Sequence, residues 1–416
     1  MLSFFINAVK IIFVLGFLVF IHESGHFLVA KFFKVKVNEF SIGFGKKIFS
    51  KTKGETTYSV RIVPLGGFVS MLGEDERSDD DRSFSKQSVP KRIAICAAGG
   101  LVNIIFGLLV YFCLLLCLGN FVSNKVDSLI SGYGAETSGI LPGDEIVSIN
   151  GKKIFISSDI SKVVSNNGNN ELNIVVKRNG EKKNIKVIPT EVKNKSIGIY
   201  FDDSDECKIS YIYKDSPADE KLKIGDVILA ANGEEINGDY EKLTQIIQES
   251  DGEILLKIKS GGKEEDVSIL PKEYSTYYIG VVFKQASKDF QTRLYYSWFE
   301  TGNFMLSLAD NVKSLFTAKV SVNDMMGPIG ISKTVAETSG IYDFIYLMAL
   351  ISLSLGITNL LPIPALDGGK ILILLIEAIR RKPMNESTEI FIQMIGFSLL
   401  ILLSIYISYI DILRFF

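Results

Sequence analysis

The sequence predicts an α+β membrane protein: four transmembrane helices interrupted by an inserted pair of β-rich modules. Three observations carry that expectation. Long apolar runs recur in a chain that is 47% hydrophobic, a polar middle region contains an internal repeat, and both histidines fall in one pentapeptide, His22-Glu23-Ser24-Gly25-His26, set between apolar flanks. The 45 basic residues nearly balance the 47 acidic ones, which argues against a nucleic-acid partner.

The first apolar run reads IIFVLGFLVFI over residues 11–21 and resumes with FLVA before Lys31, together about the twenty residues a bilayer requires. No small-residue cleavage site follows it, and cleavage there would discard both histidines, so the segment reads as a retained helix and not a signal peptide. Further runs over residues 93–119, 344–379 and 390–413 are long enough to span. Lys46, Lys47, Lys51, Lys53, Lys91 and Arg92 crowd the first connection, and Arg380, Arg381 and Lys382 the last. Basic loops stay cytoplasmic, which places both termini and the region from 120 to 343 outside. Of the cysteines, Cys96, Cys113 and Cys117 lie in the second run and Cys207 stands alone, so no disulfide framework is expected.

Between the second and third runs the repeat is plain. Gly143-Asp144-Glu145-Ile146 through Asn150-Gly151 aligns with Gly225-Asp226-Val227-Ile228 through Asn232-Gly233, and Ile154 and Ile236 keep the spacing. Asn179-Gly180 and Gly261-Gly262 then separate strand-like stretches, a hairpin signal in each copy. The pattern resembles the PDZ domain, which accepts an extended peptide or C-terminus as an added strand at a sheet edge; inert spacers are the alternative. The expected division is 1–120 for two transmembrane helices and a cytoplasmic loop, 121–195 and 196–275 for the two modules, 276–343 for a connecting region, and 344–416 for the last two helices. Within the connection, residues 286–320 read as an amphipathic helix that either lies on the membrane surface or simply packs.

Residues four apart on a helix share a face, so His22 and His26 can hold one metal ion, with Glu23 beside the attacking water. Ionisable side chains at membrane depth are costly, and a metal is one way to recover that cost. A catalytic zinc usually takes a third protein ligand, and no histidine remains. Asp367, between apolar flanks and after the helix-breaking Pro362 and Pro364, is the candidate; it could instead cap the helix that begins near Lys370. Tyr58, Val60 and Ile62 alternate with Ser59 and Arg61, which reads as a hairpin whose edge could hold an unwound substrate segment, or as an ordinary cytoplasmic hairpin.

With these residues in view, the chain resembles the site-2 protease family of intramembrane zinc metalloproteases, in particular the bacterial regulator-of-sigma-E type with tandem PDZ domains. The matching motifs are His22-Glu23-x-x-His26, Asn359-x-x-Pro362-x-Pro364-x-x-Asp367-Gly368, Gly43-Phe44-Gly45, the stretch from Tyr58 to Val69, and Gly327-Pro328-Ile329-Gly330. One departure is Ala98-Gly99-Gly100, where the family commonly has Ala-Gly-Pro, ahead of Asn103. The resemblance implies a four-helix metalloprotease core with Zn2+ on His22, His26 and Asp367, and Glu23 as catalytic base. It also implies substrate contacts at Asn359, Pro362, Pro364, Tyr58, Val60, Gly66 and Gly67. The expected activity is cleavage, after prior shedding, of transmembrane segments of anti-sigma-type regulators or remnant signal peptides. The expected place is the cell membrane, with the PDZ pair outside and the lipid bilayer as partner. The rival is a membrane-anchored PDZ receptor or quality-control scaffold with a structural metal, which would have no need of Glu23.

Overall fold

The computed structural model describes residues 2–74, 76, 78–201, 206–213, 215–316, 326–338 and 340–415. The chain forms two compact units, one of residues 1–118 with 322–412 and one of residues 119–321 with 413–416.

In the first unit, helix α1 (Leu2–Phe32) is followed by strands β1 (Val37–Lys53) and β2 (Thr56–Met71) and by helix α2 (Val89–Leu118). Among the described residues, four helices of this unit are long and apolar enough to cross a membrane, over Phe5–Phe32, Val89–Leu118, Ile341–Leu360 and Glu386–Leu413. Small residues bring the first three together. Gly25 of α1 meets the Ala98 backbone, and Gly100 and Gly107 of α2 meet Leu360, Gly356 and Leu353, so that a side chain at Gly100 would lie 2.7 Å from Leu360 Cγ. Lipid tails are as apolar as leucine, so close backbone approach, more than hydrophobicity, favours helix association there. The same crowding explains why glycine, with no ring to place, serves at position 100.

Strands β1 and β2 make more than a plain hairpin. Beyond the turn at Lys53 and Thr56 they pair antiparallel, but residues 39–42 take two partners at once. On one side Glu39, Phe40, Ser41 and Ile42 face Ser70, Val69, Phe68 and Gly67; on the other they run in step with Thr57, Tyr58, Ser59 and Val60. The ribbon has folded back on itself, and its apolar face (Val37, Phe40, Val69, Met71) packs with Ala30, Ile95 and Leu374.

The second unit holds the repeat. Its first module is built from β3 (Val122–Leu129), α3 (Gly134–Ser138), β4 (Glu145–Ile149), β5 (Lys152–Lys153), α4 (Ser157–Asn167), β6 (Leu172–Arg178) and β7 (Glu181–Val187). Strand β8 (Thr190–Ser196) leads to the second module: β9 (Ile199–Phe201), β10 (Ile209–Ile212), β11 (Val227–Ala231), β12 (Glu234–Glu235), α5 (Tyr240–Glu249), β13 (Ile254–Ser260) and β14 (Lys263–Ile269). Each module has its own isoleucine-rich core. Asn150-Gly151 and Asn232-Gly233 both turn with positive φ between paired short strands, as a tight hairpin requires. The buried Asp144 accepts from the Leu141 amide and pairs with Arg178 at 2.7 Å, which outweighs the effect of burial and holds its carboxyl below the usual range; Asp226 makes the matching amide contact to Lys223.

The modules are not simply consecutive. Strand β15 (Lys272–Tyr278) pairs with β8, and β16 (Val281–Gln285) then returns to pair with β3 at the edge of the first module's sheet, whose order is β16-β3-β4-β6-β7. Residues 281–285 thus belong to the first module's sheet, although they fall within the 276–343 segment expected to be a connection. Hydrogen bonds from Ile130 to Gly280 and from Ala135 to Ile279 repeat those from Tyr213 to Gly198 and from Ala218 to Ile197 in the second module. Helix α6 (Phe290–Phe316) lies against the first module: Phe299 stacks on Phe155 at 4.2 Å, Tyr296 stacks on Phe121, and Asn303 bonds to Asp159. One face of the amphipathic stretch is therefore a packing face, while Trp298 remains 69% exposed. Residues 317–320 of that stretch lie outside the described residues.

The first unit resumes with α7 (Pro328–Glu337), α8 (Ile341–Leu360), α9 (Asp367–Arg380) and α10 (Glu386–Phe415). The apolar run expected as one span over 344–379 is broken. Pro362 and Pro364 cannot donate the amide bonds that would continue α8, and Ala365 takes a left-handed φ of 75° before α9 starts. The buried Asp411 of α10 accepts from the amides of Gly327 and Gly330, which accounts for the Gly-Pro-x-Gly motif at the start of α7.

Candidate metal centre

Local backbone places three donors at one point. In α1 the four-residue spacing stacks His22 and His26 on the face that packs against α2, where both are buried. The proline-broken loop after α8 folds over the first turn of α9, so that a side chain on Gly368 would strike the Leu361 carbonyl oxygen. That close approach sets Asp367 opposite the histidines. Leu366, not Asp367, is the residue preceding the helix, and Asp367 sends Oδ2 to within 3.1 Å of His22 Nε2 and 3.3 Å of His26 Nε2. The two Nε2 atoms lie 3.2 Å apart.

These spacings suit a cation. A tetrahedral zinc with bonds of about 2.0–2.1 Å separates its donors by roughly 3.3 Å. Among the described residues, His22, His26 and Asp367 form the one group of three metal-ligating side chains whose donor atoms converge within 4.8 Å, and Asp367 Oδ2 is buried without a hydrogen-bond partner of its own. Gly99 of α2 completes the cradle: a Cβ there would sit 2.3 Å from His26 Nε2 and 2.7 Å from His22 Nε2. The far side of the His26 ring is fixed as well, its Nδ1 donating to the Ile95 carbonyl oxygen at 2.8 Å and leaving Nε2 free to ligate.

A cavity of about 180 Å³ opens at this point, lined by the three donors with Glu23, Phe68, Val69, Met71, Glu74, Ile95, Cys96 and Lys370. Glu23 thus shares the cavity without joining the donor cluster. Lys370, one turn after Asp367, is paired with Glu74 at 2.8 Å. Of the substrate contacts expected from sequence, Gly67 lies beside Glu23, its Cβ position being 3.3 Å from Glu23 Cγ. Tyr58 and Val60 lie on the part of β2 that runs in step with β1, where Tyr58 packs on Phe27 and Phe40. Asn359 at the end of α8, Pro362, Pro364 and Gly66 are not among the cavity's lining residues, whereas Phe68, Val69 and Met71, farther along β2, are.

The sheet that carries Phe68 is organised by one carboxylate. Glu39 accepts from Ser59, from Arg61 at 2.7 Å and from Lys47 at 3.0 Å, and the Arg61 guanidinium lies over the Phe68 ring at 5.0 Å. Burial alone would raise the Glu39 carboxyl, but these donors outweigh it and hold it down at about 2. Its contribution to sheet stability is therefore complete above the ordinary value of 4.5 and is lost as pH falls from there towards 2. Protection of the amides of residues 39–42, taken relative to the intrinsic exchange rate at each pH, is expected to fall over that acid range in the wild-type protein, while Glu39→Gln shows lower protection already at neutral pH and no acid step. An unchanged acid step in the variant would remove Glu39 as its source.

The model for peptidase family M50 matches residues 10–403. A relative from Clostridium acetobutylicum named as a zinc metalloprotease is 30% identical over 413 residues, covering 99% of this chain and 98% of that protein. The regulator of sigma E protease of Haemophilus influenzae is 29% identical over 446 residues, covering 99% of this chain and all of that protein. Among solved structures, the HtrA3 PDZ domain bound to a phage-derived ligand is 19% identical, spans 21% of this chain and 93% of that domain, and superposes with a TM-score of 0.19.

Proposed function

Since the chain belongs to peptidase family M50 and its cofactor is zinc, we propose that it is an intramembrane endopeptidase that cleaves transmembrane segments of other membrane proteins, with His22, His26 and Asp367 as ligands and Glu23 as catalytic base. The observation that carries this reading is the convergence of three donors, two of them on an apolar helix long enough to span a membrane, beside a carboxylate that is not one of them. Zinc bound there supplies a Lewis acid that polarises the scissile carbonyl and makes water a better nucleophile. Glu23 holds the attacking water and takes its proton, then returns that proton to the leaving nitrogen. The free strand edge near Gly67 and Phe68 pairs with an unwound stretch of substrate, because a helix conceals its peptide bonds by hydrogen-bonding them internally. Asn359, outside the lining of the cavity, donates to the substrate backbone once substrate is bound, and Pro362 and Pro364 keep the loop before Asp367 out of a helix.

The two PDZ-like modules lie outside the cell and restrict entry to substrates whose exterior domain has been shed, such as anti-sigma-type regulators or remnant signal peptides. Two measurements on the full chain test the proposal. Purified protein is expected to hold one zinc per chain and to cut a model substrate inside its apolar segment, losing activity on chelation and regaining it with zinc. In intact cells, single cysteines near Asn166 and Asn237 are expected to react with an impermeant reagent and one near Lys51 to stay unlabelled. Cleavage confined to residues outside the apolar segment would overturn the intramembrane activity, and the reverse labelling pattern would invert the topology.

A further inference from the structure

The two ligand imidazoles are held differently on their outer sides. Residues Ile95, Gly99 and Asn103 recur every four positions on α2 and so form one stripe of that helix. Ile95 presents its carbonyl to His26, Gly99 makes room for the donors, and Asn103 faces His22. Asn103 is 0% exposed in the middle of an apolar helix, and Ser352 of α8 donates to its backbone oxygen at 2.9 Å, which fixes its height beside the ring. A buried amide is costly unless it is hydrogen-bonded, so its partner is informative.

The Asn103 amide approaches His22 Nδ1 at 3.2 Å through the atom placed as Nδ2, while Oδ1 is buried with no partner. The amide oxygen and nitrogen have nearly the same shape, and only hydrogen-bond chemistry tells them apart. If His22 ligates through Nε2, that atom offers its lone pair and the ring proton resides on Nδ1, which needs an acceptor. A carbonyl serves His26 in this way; for His22 the acceptor within reach is Oδ1 of Asn103, once the amide is turned over.

We infer that Asn103 is a positioning residue of the metal centre, accepting the Nδ1 proton of His22 through Oδ1 and so holding the ring in the tautomer that aims Nε2 at the metal. The inference rests on the ligand set proposed above and adds to it a residue that touches neither metal nor substrate. It explains why a polar side chain is retained in the second helix one turn after the Gly99 cradle.

Zinc affinity of the full-length protein in detergent, measured by competition with a chromogenic chelator, tests it with three variants. Asn103→Leu, close in size but without hydrogen-bonding atoms, is expected to weaken zinc binding by about 10–100-fold, the range typical of lost outer hydrogen bonds to a ligand histidine. Asn103→Asp keeps the acceptor and removes every donor, and is expected to bind zinc within about threefold of the wild type, or more tightly. Wild-type affinity in the leucine variant would overturn the inference, as would a folded aspartate variant whose affinity falls by tenfold or more, because the position would then be needed as a donor. If the leucine variant does not fold, the aspartate variant alone decides between these outcomes. His22→Ala keeps the two proposals separate: zinc retained at full affinity there would remove His22 as a ligand, whereas zinc lost there but kept in Asn103→Leu would remove only the role of Asn103.

Discussion

Glu23→Gln is expected to leave zinc in place and to slow cleavage of a transmembrane substrate by about 10³-fold, within the range that positioned general acid–base groups contribute. The substitution keeps the size and polarity of the side chain but removes its ability to take a proton. Glu23 lines the cavity with the donors yet stands outside the cluster of His22, His26 and Asp367, so the metal has no need of it. Single-turnover cleavage together with metal analysis separates the two effects. A variant that cleaves at near-normal rate would remove Glu23 as the base, and one that loses its zinc would make Glu23 a ligand instead. A receptor built around a structural metal would be indifferent to the change, so the same variant distinguishes protease from scaffold.

The second large effect is expected at a residue with no functional group. Gly99→Ala places a methyl 2.3 Å from His26 Nε2 and 2.7 Å from His22 Nε2, closer than carbon and nitrogen can pack. The methyl also stands where the two nitrogens converge, so relief requires the rings to turn away or α2 to shift. Gly25 meets the Ala98 backbone and Gly100 meets α8, which leaves the helix little freedom to retreat. Zinc affinity is expected to fall on the order of 100-fold or more, beyond what loss of an outer hydrogen bond causes. Equilibrium zinc binding measures this directly, with the helical circular dichroism of the variant as its control. Zinc bound as tightly as in the wild type would mean that the donors converge away from Gly99.

Much of the site was legible because its chemistry is local or unusual in composition. His22 and His26 are the whole histidine complement of the chain, four residues apart in an apolar segment, and helix geometry alone puts them on one face. Asp367 could be singled out as a carboxylate beyond two prolines in an apolar run, because proline and charge are both expensive there. The roles of Gly99 and Asn103 were not legible in the same way. Each depends on which face of α2 meets α1, and neither glycine nor a single asparagine in an apolar helix announces a metal. The substrate contacts show the same limit, since Phe68, Val69 and Met71 line the cavity and Tyr58 and Val60 lie beyond the intervening stretch of residues 39–42. Alternation specifies a strand but not how a ribbon folds back on itself.

The return of β16 to the first module did have a signal. Ser196-Ile197-Gly198-Ile199 and Tyr278-Ile279-Gly280-Val281 are separated by the same offset as Gly143 and Gly225, so the repeat extends past the second module. What the sequence by itself determined was the set of elements with short-range causes: four apolar helices long enough to span, two modules with Asn-Gly turns, and a histidine pair one helical turn apart. Only the tertiary structure decided which partners meet: Asp367 with the histidines, Asn103 with His22, and β16 with β3 across an intervening module. Those contacts join residues far apart in the chain, and side-chain fit and hydrogen bonding between elements select them, for which no local periodicity carries a signature.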